Sequence, residues 1–308
     1  MREVYGNILV KWADIVPELI VLDADVSSST QTVHFGRKYP ARFFNVGVAE
    51  ANLVDVAGGM ATCGLKPVVN AFAVFLSLKA TDQIQNVICH NNLQVMLVGS
   101  YSGLSDSFDG ASHQSITDLA IMHAMPNMSV YVPADTADIE ICMKAALNKI
   151  GPSYIRLCRN PMPGIPKKIE RDPVEKIRVL CAGSDLTVVV CGVLTSLAYN
   201  AIQKMQKNSY GADLLNVVCL KPLDKESLIN SVVKTKKVLI IQEHSIIGGL
   251  TDAVSLALKG VPHIAEYMGI EDTFTETGEY NELLAKYGMS EDNIVKKSID
   301  LINRSVDD

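Results

Sequence analysis

Short apolar runs alternate with longer helix-forming segments along the first half of the chain, and this alternation narrows the possible folds more than any other feature. The apolar runs have the length of strands and lie at residues 19–22, 66–71, 93–98, 129–132 and 153–157. The segments that predict helices lie at residues 4–16, 50–63, 72–89 and 136–149. Such alternation is typical of a parallel β-sheet covered by helices on both faces. The sequence therefore predicts the α/β class.

The alternation stops at residues 161–185 and then starts again. This stretch contains four prolines and the charge-rich segment 167–172, a composition typical of a linker. Beyond it, strands are predicted at residues 186–190, 214–219 and 238–242, and helices at residues 195–207, 225–233 and 249–258. We expect two doubly wound parallel-sheet domains. The predicted division is a first domain at 1–165, a linker at 166–185 and a second domain at 186–308.

The overall charge argues against a nucleic-acid partner. The chain of 308 residues has a net charge of -6 and a pI near 5.6, whereas nucleic-acid-binding domains are commonly basic. No run of about eighteen apolar residues predicts a membrane span, and the first residues do not resemble a secretory signal. None of the seven cysteines forms a C-x-x-C pair, and most lie in apolar runs, as free cysteines do in a reducing compartment. We expect a cytoplasmic protein with no membrane partner.

Glu50 places one carboxylate at a junction that is otherwise apolar. Residues 42–49 predict a short strand and a glycine turn, and residues 51–61 predict a helix of small apolar residues. Two interpretations are open at this point. An acid in the first turn of a helix is stabilised by the helix dipole. A buried acid retains its proton more readily than an exposed one and is a candidate for chemistry.

A second motif, Asp-Gly-Ala-Ser-His-Gln, occupies residues 109–114. Together with FFNVGVAEANLVDVAGGMA at 43–61 and MPNMSVYVPAD at 125–135, it resembles the pyrimidine-binding half of transketolase, a thiamine-diphosphate enzyme. Further similar segments are LDADVSSS at 22–29, RLCRN at 156–160, VVVCG at 188–192 and EHSIIGGL at 243–250. The resemblance runs from Arg2 to about the end of the chain, and the ordered series of motifs makes it specific.

The resemblance implies a thiamine-diphosphate site with Glu50 as a catalytic residue. There Glu50 bonds ring nitrogen N1′ of the aminopyrimidine, which favours the imino tautomer whose 4′ nitrogen removes the thiazolium C2 proton. Phe72 and Phe75 are spaced i, i+3 on the predicted helix, so they either stack on the pyrimidine or join the core as other aromatic residues do. Asp25, which follows the first strand, is the remaining cofactor-binding candidate.

The resemblance also implies a set of substrate-binding residues. Asp109 and His113 face the sugar hydroxyls, and His113 is a catalytic candidate because histidine exchanges protons near neutral pH. Arg2, Ser29 and Arg159 bind the distal phosphate of the sugar, for which the planar guanidinium fork is well suited.

Several positions depart from the pattern of the resembling chains. Residues 103–108 replace a loop that is richer in glycine and acids, and Tyr101 stands near a position where many of those chains have histidine. Leu78 stands where a further ring-pocket tyrosine is common, and His34 has no counterpart with a clear role. The donor sugar therefore stays open, including whether its anionic group is phosphate or sulfonate. Arg156 is expected to lie within a strand and to be structural.

The usual signature of the diphosphate-binding half, Gly-Asp-Gly followed later by Asn-Asn, is incomplete in this sequence. Asn91-Asn92 occurs without Gly-Asp-Gly and predicts a helix-ending turn. The resemblance thus implies the C-terminal subunit of a split transketolase, joined in a heterotetramer by an N-terminal subunit that binds Mg²⁺ and the diphosphate. The implied reaction transfers a two-carbon ketol unit from a ketose to an aldose. The alternatives are a deoxyxylulose-phosphate synthase-like subunit, a 2-oxo-acid dehydrogenase β-type subunit and a non-catalytic stabilising subunit.

Overall fold

Two β-sheets organise the chain in the computed structural model, which describes residues 1–161, 163–165, 170–171 and 173–304. Residues 166–169 and Asp172, which belong to the predicted linker and its charge-rich segment, lie outside the described residues.

The strands are β1 (Leu19–Asp23), β2 (Phe43–Asn45), β3 (Lys66–Phe72), β4 (Met96–Ser100), β5 (Ser129–Tyr131), β6 (Ser153–Leu157), β7 (Arg178–Cys181), β8 (Leu186–Cys191), β9 (Ala212–Val217), β10 (Cys219–Lys221), β11 (Lys237–Ser245) and β12 (Ile264–Ile270). The helices are α1 (Arg2–Ile15), α2 (Ser27–Thr30), α3 (Val33–Lys38), α4 (Glu50–Thr62), α5 (Ala73–Lys79), α6 (Thr81–Gln83), α7 (Asp118–Ala124), α8 (Thr136–Asn148), α9 (Leu194–Lys207), α10 (Lys225–Thr235), α11 (Gly249–Ala257), α12 (Tyr280–Lys286) and α13 (Glu291–Ile302). A 3-10 turn spans Pro40–Arg42, and a π-helical turn spans Ile84–Cys89.

The first sheet has the order β10-β5-β6-β4-β3-β1-β2, and the second has the order β12-β11-β8-β9-β7. Neighbouring strands are parallel except at one edge of each sheet, where β10 pairs with β5 and β7 pairs with β9 in antiparallel fashion. The predicted α/β class with two mainly parallel sheets is therefore confirmed. β7 lies inside the stretch predicted to be a linker, and β10 adds a strand from the second half of the chain to the first sheet.

Strand β1 shows why its sheet must be covered on both faces. Leu19 and Val21 belong to one apolar cluster together with α1, whereas Ile20 and Leu22 belong to a second cluster together with α4. Successive side chains of a strand point to opposite faces, so an uninterrupted apolar strand needs helices on both sides. Each cluster also contains residues of the second half of the chain, so the apolar cores are continuous between the halves.

The carboxyl ends of the strands in the first sheet lie side by side. The register pairs Asp23 of β1 with Asn70 of β3, Phe72 of β3 with Ser100 of β4, and Ser100 with Leu157 of β6. The segments that follow these strands therefore leave from one edge of the sheet, the place where ligands bind in open α/β folds. This geometry positions the candidate site.

Arg156 of β6 is buried and structural, as the sequence predicts. Its Nε donates to Asp118 Oδ2 at 2.8 Å, and its Nη2 donates to Asp118 Oδ1 at 3.2 Å and to the Glu243 carbonyl oxygen at 3.0 Å. Burial alone raises the pKa of Asp118, but the Arg156 guanidinium outweighs this effect and holds that pKa below its usual value. The pair thus connects β6 and α7 with β11.

Glu243 joins the second half of the chain to the loop that follows β4. Its Oε1 accepts a hydrogen bond from the Leu104 backbone N–H at 2.8 Å, and its side chain is buried. A Cβ atom on Gly103, which has a φ of +61°, would lie 2.4 Å from the Glu243 carboxyl carbon, so only glycine fits there. Burial raises the pKa of Glu243 to about 7, although Arg156 opposes the shift.

Replacing Arg156 by methionine tests the buried ion pair. Arg156→Met leaves Asp118 buried without its charged partner, so we expect the free energy of unfolding to fall by about 3–5 kcal/mol. Urea unfolding of the purified chain measures this change. The matched variant Lys38→Met breaks an exposed pair with Asp14 and should cost far less, because water screens an exposed ion pair. Equal losses in both variants would contradict the role given to Arg156.

The raised pKa of Glu243 predicts a pH-dependent stability. An unfolded glutamate loses its proton near pH 4.3, whereas folded Glu243 keeps it until about pH 7. The folded state therefore holds the extra proton inside this window, and wild-type stability should fall relative to Glu243→Gln as the pH rises through it. Urea titrations of both proteins at several values between about pH 5 and about pH 8, where most proteins are stably folded, test this. Exposed Glu282→Gln is the control, and a stability difference that is constant with pH would refute the prediction.

Candidate active site

Four rings form a continuous wall at the carboxyl edge of the first sheet. We call Phe72, Phe75, Tyr101 and His113 the aromatic wall. The ring of Phe72 stacks on Tyr101 with centroids 4.4 Å apart and on Phe75 at 6.1 Å, and His113 meets Phe75 edge-on at 5.1 Å. Phe72 is the last residue of β3 and not part of a helix, so the two phenylalanines do not share a helix face as predicted. Their rings meet nonetheless.

Glu50 lies at one end of the aromatic wall. It is the first residue of α4 and is only 5% exposed, so both interpretations of the sequence describe it: it is a first-turn acid and it is buried. The Lys79 ammonium lies 3.3 Å from Glu50 Oε2 and 4.2 Å from the ring centroid of Phe75. Lys79 was not predicted, although its i, i+4 spacing from Phe75 on α5 is a usable signal.

Arg2, Ser29 and Arg159 converge at the other end of the wall, around Tyr101. Arg2 Nη1 donates to the Tyr101 hydroxyl at 2.6 Å and to the Ser29 carbonyl oxygen at 3.4 Å. The Cζ atoms of Arg2 and Arg159 lie 5.8 and 5.0 Å from the Tyr101 ring centroid. Two arginines far apart in the sequence thus flank the Tyr101 ring, and Ser29 joins this end of the wall through its carbonyl bond with Arg2.

Asp106 is a site residue that the sequence did not reveal. Its Oδ1 accepts a hydrogen bond from Arg159 Nη1 at 2.8 Å, and its side chain is 1% exposed. Burial raises the pKa of Asp106, and the charge of neighbouring Asp109 raises it further, whereas Arg159 and His113 lower it. Asp106 lies in segment 103–108, which differs from the loop of the resembling chains, and this difference is the only sequence signal for it. Nothing in that segment indicates that Arg159 is its partner.

The loop that carries these residues is held by the second half of the chain. Gln114 Nε2 donates to the Glu276 carbonyl oxygen at 3.0 Å, and the Gly278 N–H donates to the Ser107 carbonyl oxygen at 3.1 Å.

Tyr101 has a φ of 60°, which is uncommon for a side-chain-bearing residue and marks local backbone strain. His113 Nδ1 lies 2.9 Å from Ser112 Oγ, and this contact together with those of the loop fixes the ring beside Phe75.

Some of the residues predicted from sequence lie away from the aromatic wall and the groups at its ends. Asp25 is exposed and accepts a hydrogen bond from Asn45 Nδ2 at 2.8 Å, on the turn that leads to Glu50. Asp109 is exposed beside Asp106. His34 lies 3.2 Å from the Gln31 side chain, and Leu78 is 57% exposed. The recorded hydrogen bonds of Asp25 and His34 thus go to Asn45 and Gln31 and not to the aromatic wall.

The described residues contain neither a cluster of metal-binding side chains nor a membrane-spanning helix. Within residues 1–161, 163–165, 170–171 and 173–304, no three His, Cys, Asp or Glu side chains are grouped so that they could hold a metal ion. No helix in the same ranges combines the length and apolar character needed to cross a membrane.

Comparisons with known proteins identify the family of the two halves of the chain. Residues 1–164 match the family described as transketolase, pyrimidine binding domain, and residues 175–294 match transketolase, C-terminal domain. A Methanocaldococcus jannaschii protein described as a transketolase C-terminal section is 36% identical, over 96% of this chain and 94% of that protein. The 6-deoxy-6-sulfo-D-fructose transketolase subunit SqwH of a Clostridium species is 32% identical, over 99% of this chain and 95% of that protein.

A solved structure described as a split gene transketolase, inactive beta4 tetramer, superposes with a TM-score of 0.88. It is 38% identical, and the match covers 98% of this chain and 97% of that one. Synthases of 1-deoxy-D-xylulose-5-phosphate also match, for example that of Pelotomaculum thermopropionicum at 32% identity, but this chain spans only 47% of that protein. The matching domains, the relatives and the fold together establish that this chain belongs to the transketolase family.

Proposed function

We propose that this chain is the C-terminal subunit of a split, thiamine-diphosphate-dependent transketolase, which transfers a two-carbon ketol unit from a ketose to an aldose. The observation that carries the proposal is the buried Glu50 carboxylate at the end of an aromatic wall that also contains His113. An acid and a stacking surface are the two groups that an aminopyrimidine ring needs, and a histidine on the same wall can serve the sugar.

The residues around Glu50 fit the pyrimidine ring of the cofactor. Among the described residues, Lys79 is the only side chain bonded to the Glu50 carboxylate, so the acid has capacity to accept a further N–H. Lys79 lies over Phe75, on the face where a flat ring would stack, and its side chain is 49% exposed. A lysine with this exposure can turn into solvent at low cost and give up its place to the ring.

The chain's own residues divide the chemistry between them. When bound, thiamine diphosphate supplies the thiazolium carbon that carries the two-carbon unit. Glu50 holds a proton at the pyrimidine ring nitrogen, and Phe72 and Phe75 orient that ring. His113 moves a proton at a sugar hydroxyl, and Asp109 accepts a hydrogen bond from a second hydroxyl. The distal end of the sugar lies towards Tyr101, where Arg2, Ser29 and Arg159 converge.

A partner subunit is part of the proposal. The sequence lacks Gly-Asp-Gly, and this chain aligns with nearly all of the transketolase C-terminal section but with about half of a single-chain synthase. These observations favour a separate N-terminal chain that binds Mg²⁺ and the diphosphate, in a heterotetramer with this one. The proposed domains are residues 1–165 and 186–308, joined by 166–185, and the family matches at 1–164 and 175–294 support two units.

The synthase-like alternative is favoured by one observation, the 32% identity to half of a deoxyxylulose-phosphate synthase. The two functions differ in the donor, because a synthase of this kind uses a 2-oxo acid and a transketolase uses a ketose. Turnover by the reconstituted complex with pyruvate but not with any ketose would favour the alternative. A 2-oxo-acid dehydrogenase β-type subunit and a non-catalytic subunit have no supporting observation of this kind.

Replacing Glu50 by glutamine tests the cofactor role. Glu50→Gln keeps the shape of the side chain but removes its acid, so turnover by the complex should fall by about 10²–10⁴-fold while folding and assembly persist. Steady-state kinetics of the complex measure the loss. The control is Glu226→Gln, which changes an exposed first-turn acid of α10 and should leave the rate unchanged. Near-wild-type turnover by Glu50→Gln would refute the assignment.

The isolated chain should bind thiamine diphosphate weakly and have no activity, because half of the proposed site belongs to the partner. Isothermal titration calorimetry with Mg²⁺ and cofactor measures this directly. We expect tight binding only after the N-terminal subunit is added. Tight binding by this chain alone would contradict the split site.

A further inference from the structure

A cavity between the two halves of the chain adjoins Arg159. Its volume is about 500 Å³, which lies within the range of small-molecule sites, and such sites are common where domains meet. Arg159 lines this cavity, which we call the interdomain cavity, and its Cζ also lies 5.0 Å from the ring centroid of Tyr101. The interdomain cavity therefore adjoins the arginine end of the aromatic wall.

The interdomain cavity is lined by polar side chains that lack a partner within the described part of the chain. Ser107 is only 4% exposed, yet its hydroxyl makes no hydrogen bond to a described residue. The side-chain amides of Asn160, Asn200 and Asn281 also have no such partner among the described residues. Each amide has two N–H donors and an acceptor oxygen, as hydroxyl-rich ligands require. Sugar hydroxyls can therefore take the place of water on both walls of the cavity.

Secondary structure holds these walls in place. Asn200 lies four residues after Ser196 on α9, so the two side chains share a face of that helix. Asn281 is the second residue of α12. Just before α12, the Gly278 N–H donates to the Ser107 carbonyl oxygen at 3.1 Å, which joins this segment to the loop of the first half. The polar groups of the cavity thus keep fixed positions relative to Arg159, as a binding site requires.

The charges in the interdomain cavity favour an uncharged occupant. Among its described lining residues, only Arg159 and Glu279 carry a formal charge. Arg159 Nη1 already donates to Asp106 Oδ1 at 2.8 Å, so the cavity has no unpaired cation to hold a further anionic group. The ring of Phe108 is 59% exposed and offers an apolar face to the C–H groups of a sugar. Amides and one free ring together suit a glycosyl group.

We propose that the interdomain cavity is a subsite for an uncharged glycosyl group attached to the distal end of the sugar donor. The ketose part of this donor lies along the aromatic wall, and its glycosyl group passes Arg159 into the cavity. The proposal rests on the transketolase function proposed above and extends its substrate class to ketose-containing disaccharides. Binding of an anionic sugar at Arg159 is left intact, because the cavity adds room beyond that residue.

The reaction itself is unchanged for such a donor. The C2–C3 bond of the ketose breaks, and the two-carbon unit forms a new bond to the aldehyde carbon of the acceptor. The C3 hydroxyl of the donor loses a proton, and the new hydroxyl of the acceptor gains one. The remainder of the donor leaves as an aldose that still carries the glycosyl group.

The test compares fructose with 6-O-glucosylfructose as donors in the complete complex with partner and cofactor, with one aldose acceptor. We expect wild type to use the disaccharide with a kcat/KM at least equal to that for fructose. Replacing Asn200 and Asn281 together by alanine should lower the ratio of disaccharide to fructose kcat/KM by about tenfold or more, because two hydrogen bonds are lost. Asn230→Ala, which removes an exposed amide of α10 outside the cavity, should leave the ratio unchanged.

A binding measurement separates this proposal from the proposed function. The disaccharide is titrated into the full chain and followed by NMR, and the double alanine variant should bind it about tenfold more weakly than wild type. If the wild-type complex turns over neither ketose, the proposed function fails, and the titration still decides on the cavity.

A thermal melt checks that the double variant folds, and Asn200→Trp, which fills the cavity from an exposed helix position, replaces it if it does not. Turnover of fructose by a wild-type complex that rejects the disaccharide would overturn the proposal. Equal affinity of wild type and variant for the disaccharide would overturn it as well.

Discussion

The parallel register of the first sheet is the constraint on which the site depends. Because β1, β3, β4 and β6 run in the same direction and in register, the segments that follow them emerge along one edge. Tyr101 and Arg159 are separated by many residues in the chain but follow neighbouring strands, and their side chains meet for that reason. Along the wall, Glu50 follows β2, Phe72 ends β3, Tyr101 follows β4 and Arg159 follows β6, so these groups keep the relative order of their strands, whereas Arg2 reaches the wall from the start of α1.

The second half of the chain supports this edge through buried polar contacts. Glu243 and the Arg156–Asp118 pair connect β11 with β6, α7 and the loop after β4. Buried polar groups that are bonded in this way allow few alternative arrangements, and they fix geometry at some energetic cost. The loop with Asp106 and His113 thus has a defined position even though it includes a strained residue at Tyr101.

Much of the fold was predictable because the central strands are continuous apolar runs. β1, β6 and β8 were predicted within one residue at each end, since buried parallel strands have a strong local signal. β7, β10 and β12 were missed. β7 and β10 are short antiparallel edge strands that depend on distant partners, and β12 is an edge strand whose first four residues are only half-buried and thus give a weak apolar signal. At the site, Glu50 and His113 were identified from motifs. The Arg159–Asp106 pair and the position of Lys79 were not, because side-chain pairing between different loops leaves no local pattern.

In the proposed function, the Glu50 carboxylate at the end of the aromatic wall activates the cofactor. The most direct test is the exchange of the C2 proton of thiamine diphosphate for deuterium, followed by NMR in the complex with the N-terminal subunit. The account predicts exchange much faster than in free cofactor, and slower by about 10²–10⁴-fold when Glu50 is glutamine. Exchange at the same rate with and without the Glu50 carboxylate would contradict it.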